Sequence, residues 1–252
     1  MKPFLTQTAI GARALLLSLT ALLSLLLHQP LFAGQNVNEA PEDIARRLQL
    51  NYDQIRSLSF HFTQSTEGEL SGRPQQGSGT AWFVKEKKNQ EPPGTVGKMR
   101  WDYTSPDKQV LVSDGVNFSM YFAKLEQMII SPADTMKTDI TYAFFTGSGN
   151  LLKDFSISAP TNPELNPKEE DADHYKVIKL IPKENQSQVS EIHLWVTPDS
   201  LIQRMEILDH FDTRTTLEFS NLKTNTLPTD DPKAMDALFS YTPPEGTEII
   251  YQ

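Results

Sequence analysis

The chain has 252 residues, with 32 acidic side chains against 23 basic ones and no cysteine. A formal net charge of −9 argues against nucleic acid and anionic lipid head groups as partners. The missing cysteine excludes a disulfide scaffold and a chain anchored through an acylated cysteine, while the length allows an ample core without cross-links.

Lys2 and Arg13 precede an apolar run from Ala14 to Leu27, interrupted by Ser18, Thr20 and Ser24. His28-Gln29-Pro30 follows, then Leu31-Phe32-Ala33-Gly34. A positive start, a short apolar middle and a small residue at the end predict a secretory signal peptide, residues 1–33, cleaved after Ala33. The competing reading is an uncleaved anchor. Against it, the run falls short of the ~20 residues that span a bilayer, and Pro30 breaks the helix. Loss of Lys2 and Arg13 takes the charge from −9 to −11 and leaves residues 34–252 as a single soluble, exported domain.

Pro41 to Leu58 reads as one helix, with Ile44, Leu48, Tyr52 and Ile55 at three-to-four spacing, Asn38 as cap and Pro41 in the first turn. The period then changes to two. Leu58, Phe60 and Phe62 alternate with polar residues, and Thr80–Val84 and Met99–Tyr103 follow as strands. Val110-Leu111-Val112 runs into the turn Ser113-Asp114-Gly115; Val116, Phe118, Met120 and Phe122 alternate again, and Leu125–Ile130 returns. Ala133–Phe145 carries Met136, Ile140 and Phe144 at helical spacing, and Asn150–Phe155 adds a further helical turn. Ser158–Asp173 is rich in proline and acid and reads as an exposed loop. Strands resume at Tyr175–Ile181, Val189–Val196, Leu201–Leu208 and Thr213–Leu222. A short helix at Asp231–Leu238 and a last strand or two in Phe239–Ile250 complete the chain.

Closely spaced strands of this kind predict an antiparallel meander of about eleven strands, mainly β with a few helices. So large a sheet curls and acquires a concave face, which one-sided helices can fill or cover. Periodicity does not say whether that concavity is packed or partly empty.

No residue pattern points to catalysis. His61, His174, His193 and His210 show no ligand spacing, so neither a metal nor another cofactor is expected. His61 and His193 fall opposite the apolar residues of their strands and are expected at the surface. Gly77-Ser78-Gly79 and Gly147-Ser148-Gly149 lack the spacing of a nucleophile elbow or a phosphate loop and read as turn or strand-edge glycines. Asn117-Phe118-Ser119 and Asn185-Gln186-Ser187 match a glycosylation triplet that is common by chance. What is abundant is soft apolar surface, from Phe60 through Trp82, Phe83, Met99 and Trp101 to Met128, Phe144 and Phe145.

Several stretches resemble the LolA family of periplasmic outer-membrane lipoprotein carriers. The central block is Lys98-Met99-Arg100-Trp101-Asp102-Tyr103, followed by Pro106-Asp107-Lys108-Gln109, Val110-Leu111-Val112-Ser113-Asp114-Gly115 and Tyr121-Phe122-Ala123-Lys124-Leu125-Glu126-Gln127. Ser59-Phe60-His61-Phe62-Thr63-Gln64 is similar to the family's first strand, and Leu238-Phe239-Ser240-Tyr241-Thr242-Pro243-Pro244-Glu245-Gly246 to its closing segment. The order is that of the family over nearly the whole of residues 34–252.

The resemblance implies an unclosed, strongly curved β-barrel with a helical lid over a hydrophobic cavity, working without covalent chemistry. It implies a periplasmic chaperone that takes acylated lipoproteins from an inner-membrane ABC-type release complex to an outer-membrane receptor, as a monomer. The receptor of the same fold is itself a lipoprotein, so the missing cysteine favours the soluble carrier. Two rivals remain: a regulator of this fold that senses lipids or lipoproteins, and a secreted hydrolase. On this reading Phe60, Phe62, Trp82, Met99, Trp101, Val110, Val112, Phe118, Met120 and Phe122 line the cavity, with Phe83 an alternative to Trp82. Met136, Ile140, Phe144 and Phe145 form the lid. One departure stands out: the family's Arg-Pro pair before the Arg-Trp strand, whose Arg bonds to the lid, is replaced by a longer segment, Glu86 to Gly97, without arginine. Lys87 and Lys88 are the candidates to replace it, though a lysine lacks the planar fork.

Overall fold

The computed structural model describes residues 39–68, 73–85, 97–146, 149–184 and 188–252. The expected signal peptide lies outside them.

Helix α1 spans Pro41–Gln54, with Pro41 at its start, Glu42 and Asp43 in the first turn, and Ile44, Ala45, Leu48, Gln49 and Tyr52 as one buried stripe. It stops short of Leu58 because Ile55 is already extended and Ser57 opens the first strand. Strands β1 (Ser57–Glu67), β2 (Gln75–Val84), β3 (Lys98–Ser105), β4 (Gln109–Ser113), β5 (Asn117–Phe122) and β6 (Gln127–Pro132) form the meander. Ala133–Thr138 is a 3-10 turn leading into α2 (Ile140–Thr146), and α3 (Leu151–Asp154) is one helical turn. Next come β7 (Phe155–Ser158), β8 (Lys176–Pro182), β9 (Glu191–Val196), β10 (Ile202–Leu208) and β11 (Arg214–Thr224), then α4 (Pro232–Leu238) and β12 (Glu248–Tyr251).

All twelve strands join one sheet in the order β12-β6-β5-β4-β3-β2-β1-β11-β10-β9-β8-β7. The first and last strands of that order do not pair, so the barrel is unclosed. Every pairing is antiparallel except β12 on β6, where the returning C-terminus lies alongside β6 in the same direction. Strand β7 was not expected from the sequence: only four residues long, it pairs with β8 in a stretch read as a helical turn running into a loop.

Two apolar layers lie on opposite faces of the sheet. The larger takes residues from β1, β2, β3, β5 and β7 to β11, together with α1 and α2. At about 4.8 Å per strand, a flat sheet does not bring such distant strands into one cluster; curvature and the covering helices do. The smaller lies outside β2 to β6 and is covered by the C-terminal segment through Met235 and Phe239.

The glycines of Gly77-Ser78-Gly79 are not at a turn but inside β2. A β-carbon on Gly79 would overlap the Asp102 carbonyl oxygen and meet the Phe62 ring at 3.0 Å, so the close packing of β2 on β3 there requires glycine.

His193 departs from expectation as well. It does face away from the apolar layer, yet its side chain is only 7% exposed. Its Nε2 lies 3.1 Å from Glu191 Oε1 and its Nδ1 3.6 Å from Glu206 Oε1, in a network with Lys179, Arg204 and Arg214. The loop before β8 roofs this network, with Lys179 Nζ donating to Thr161 Oγ1 at 2.7 Å. His61, by contrast, is exposed.

Candidate functional site

Cross-strand register fixes which side chains share the concave face. Leu58 opposes Phe83, Phe60 opposes Ala81 and Phe62 opposes Gly79 between β1 and β2. Ala81 then opposes Trp101, and Phe83 opposes Met99, on β3. On the other side Phe62 opposes Phe219 of β11. The resulting wall is almost continuous aromatic surface: Phe60 has Phe219 at 4.7 Å, Trp101 at 5.7 Å and Phe83 at 5.8 Å between ring centroids. Phe118 belongs to the same layer, and Leu111 and Met120 pack against it.

Helix α2 closes over that wall. Its Phe145 ring reaches Phe83 at 5.0 Å, Phe60 at 5.3 Å and Phe219 at 5.7 Å, and Phe144 meets Tyr52 of α1 at 4.6 Å. Asp139 Oδ1 accepts from the Tyr142 amide and caps the helix. The Tyr142 hydroxyl donates to the Gly97 carbonyl at 2.8 Å, which ties the lid to the backbone entering β3. Gly97 is a close seat: a β-carbon there would lie 2.7 Å from Thr146 Cβ and 2.8 Å from the Val84 carbonyl oxygen. Helix α1 is held separately. Arg47 Nη1 donates to Thr197 O and Ser200 Oγ, both at 2.9 Å, the Tyr52 hydroxyl accepts from the Ile202 amide at 3.3 Å, and Gln49 Oε1 accepts from the Leu151 amide at 2.8 Å. Lys85 Nζ donates to the Tyr52 carbonyl.

Of the residues expected at the cavity, Phe60, Phe62, Met99, Trp101, Phe118 and Met120 come together on this face, and Phe83 takes the place offered to Trp82. Trp82, Val110 and Val112 do not. Val110 opposes Asp102 and Val112 opposes Arg100, which puts them on the outer face, and Trp82, opposite Arg100, shares it under the C-terminal segment. The physical reason is that β2 carries Trp82 beside Phe83, and β4 carries Leu111 between Val110 and Val112, so within these two strands alternation alone does not tell inside from outside. Phe122 is half-buried and belongs to neither layer. Among the residues expected in the lid, Phe144 and Phe145 are buried on the wall and Met136 packs against it; the side chain of Ile140 lies outside the described residues. Lys87 and Lys88 also lie outside them. The sequence reading missed Tyr142, Gly97 and Lys85, which carry the contacts described above.

A curved sheet with one aromatic concave wall and a short helix closed over it suits sheltering apolar matter. The family model for the outer membrane lipoprotein carrier protein LolA matches residues 53–233. The chain belongs to the LolA family. An outer-membrane lipoprotein carrier protein of Methylococcus capsulatus is 30% identical over 221 residues, covering 88% of this chain and 94% of that protein. One from Bordetella avium is 29% identical, covering 78% of this chain and 81% of its own length. Among solved structures, the match to a LolA superfamily protein from Nitrosomonas europaea covers 80% of this chain and 98% of that one, at 12% identity and a TM-score of 0.37. Among the described residues no helix is long and apolar enough to cross a membrane.

Proposed function

We propose that this chain is a periplasmic chaperone for acylated lipoproteins. It receives them as they are extracted from the inner membrane by an ATP-driven release complex, shelters their acyl chains between the concave wall and α2, and gives them up to a receptor at the outer membrane. The observation that carries the reading is the wall itself, in a member of a carrier family: Phe60, Phe62, Phe83 and Phe219 form one apolar surface whose cover is a seven-residue helix, α2. Each acyl methylene kept from water is worth about 0.8 kcal/mol, so a multiply acylated protein does not cross an aqueous space unaided. A lid that swaps its own aromatic rings for acyl chains gives a two-state carrier, closed when empty and open when loaded. The task needs only binding and release, and no bond is made or broken.

The test uses inner-membrane vesicles containing the release complex, ATP, the purified protein, and a cargo with or without its acylated cysteine. The expected result is release of the acylated cargo alone, as a soluble one-to-one complex. Equal recovery of both cargoes, or of neither, contradicts the proposal.

A further inference from the structure

On the concave wall, one buried polar group among the described residues has no hydrogen-bond partner. Trp101 is 6% exposed and boxed by aromatic rings, with Phe62 at 4.5 Å, Phe60 at 5.7 Å and Phe83 at 5.8 Å between centroids. Its indole Nε1–H is buried and has no hydrogen-bond acceptor among the described residues. Two residues along β3, the Tyr103 hydroxyl donates to Gln64 Oε1 at 2.7 Å. Burial pushes the Tyr103 phenol up to about 12, although the nearby Trp101 indole favours its anionic form; the two do not meet hydrogen-bond geometry. Buried indole N–H groups ordinarily find an acceptor, and one left without keeps its full desolvation penalty. Here that donor sits in the wall that α2 covers.

We propose that Trp101 Nε1–H, beside the Tyr103 hydroxyl, is a recognition point for the ester carbonyl of a glycerol-linked fatty acyl chain. The inference rests on the carrier reading and adds what an aromatic wall lacks. Apolar surface binds an alkane, an alkyl ether and an acyl ester alike, in proportion to area. A single desolvated donor separates them, because only the ester offers a carbonyl oxygen to complete it. The same chemistry occurs in a diacylglyceryl-cysteine N-terminus and in a diacyl phospholipid.

The experiment compares 1-oleoylglycerol with its ether analogue, 1-O-oleylglycerol, for binding to the intact protein and to Trp101→Phe. The protein is expected to bind the ester about fivefold to tenfold more tightly, the factor for one neutral hydrogen bond in a dry site. Trp101→Phe is expected to bind both with the ether's affinity. In the unaltered protein the Trp101 indole N–H resonance, assigned from its loss in the variant, moves downfield with the ester and not with the ether. Equal affinities in the unaltered protein, or a preference that survives in Trp101→Phe, overturns the ester site. If the variant fails to fold, the resonance decides: no downfield movement with the ester overturns it. Equal binding of ester and ether with acylated cargo still released removes this site and leaves the carrier reading standing. No binding of either lipid and no cargo release removes both. Displacement of the oleoylglycerol by a diacylglyceryl-cysteine lipopeptide or by a diacyl phospholipid supports the site and shows which source it serves.

Discussion

At Gly97 a β-carbon would stand 2.7 Å from Thr146 Cβ, so Gly97→Ala pushes directly against the end of α2. Overpacking of this kind costs about 1–3 kcal/mol; opening of the lid relieves the contacts with Thr146 and leaves the one with the Val84 carbonyl oxygen of β2. The variant is therefore expected to bind an apolar dye such as bis-ANS several-fold more strongly than the unaltered protein, with faster hydrogen exchange in α2 and at the Val84 end of β2; an unchanged dye affinity contradicts the seat. On the other face, the His193 imidazole, whose Nδ1 lies 3.6 Å from Glu206 Oε1, is the main cause that holds Glu206 below its ordinary value of 4.5, with Arg214 and Arg204 assisting and burial opposing. A carboxylate depressed by folding contributes stability that is present above its unfolded value and lost as pH falls through the folded one. Urea midpoints should thus drop as pH is lowered below about 4.5, and Glu206→Gln should flatten that acid limb while lowering stability at neutral pH. An unaltered acid limb in the variant places the proton elsewhere. The burial of His193 was not legible in the sequence, because alternation gives the face of a strand but not the loop that folds down over it. The bond made by the Tyr142 hydroxyl and the unpartnered indole N–H of Trp101, a residue expected at the cavity, were hidden for a related reason: a hydroxyl or an indole N–H acquires meaning only from the acceptor that the fold does or does not set against it.

The elements themselves were largely legible, since hydrophobic period and turn residues are local signals. α1, β1, β3 to β6, β8 to β11 and α4 fall where the sequence puts them, to within a few residues at their ends. β7 was missed because four residues are too few to show a period. The C-terminus is instructive in another way: nothing in Phe239–Ile250 announces a parallel partner, since parallel pairing is decided by where the chain has been carried. Arg100 Nη1 donates to Leu238 O at 3.0 Å and Ser240 O at 3.2 Å, and Tyr241 lies under Arg100 and Lys108 and against Tyr121. These contacts bring the segment across the outer layer, and β12 then covers the edge of β6. Deletion of residues 248–252 exposes that edge with Met128 and Ile130 beside it. The truncated protein is expected to stay folded but to aggregate at lower concentration in light scattering; unchanged solubility speaks against an edge-covering role. Within α2, Phe145 touches five aromatic rings. Phe145→Ala should cost about 3–5 kcal/mol if the lid stays closed, read as a shift in the denaturant midpoint, and a much smaller loss shows that the lid opens instead.

For the molecule as a whole, the fold and the family are written in the order of short strands and in the Lys98–Gln127 block, whereas the inside of the barrel is not. β2 carries Phe83 and Trp82, and β4 carries Leu111 between Val110 and Val112, apolar on both faces because one face joins the layer under α2 and the other lies under the C-terminal segment, whereas β3 alternates Met99 and Trp101 with Arg100 and Asp102. Register resolves them: Phe83 and Trp101 lie on the concave wall, Trp82, Val110 and Val112 outside. The account's central claim is that acyl chains occupy the concave side and displace the rings of α2. Cargo lipoprotein acylated with a diazirine-bearing fatty acid, loaded onto the protein, irradiated and mapped by mass spectrometry, tests this most directly. The account predicts adducts on Phe60, Phe62, Phe83, Trp101, Met120 and Phe145, and none on Trp82, Val110 or Val112. Adducts on those three, with the concave wall unlabelled, would contradict it.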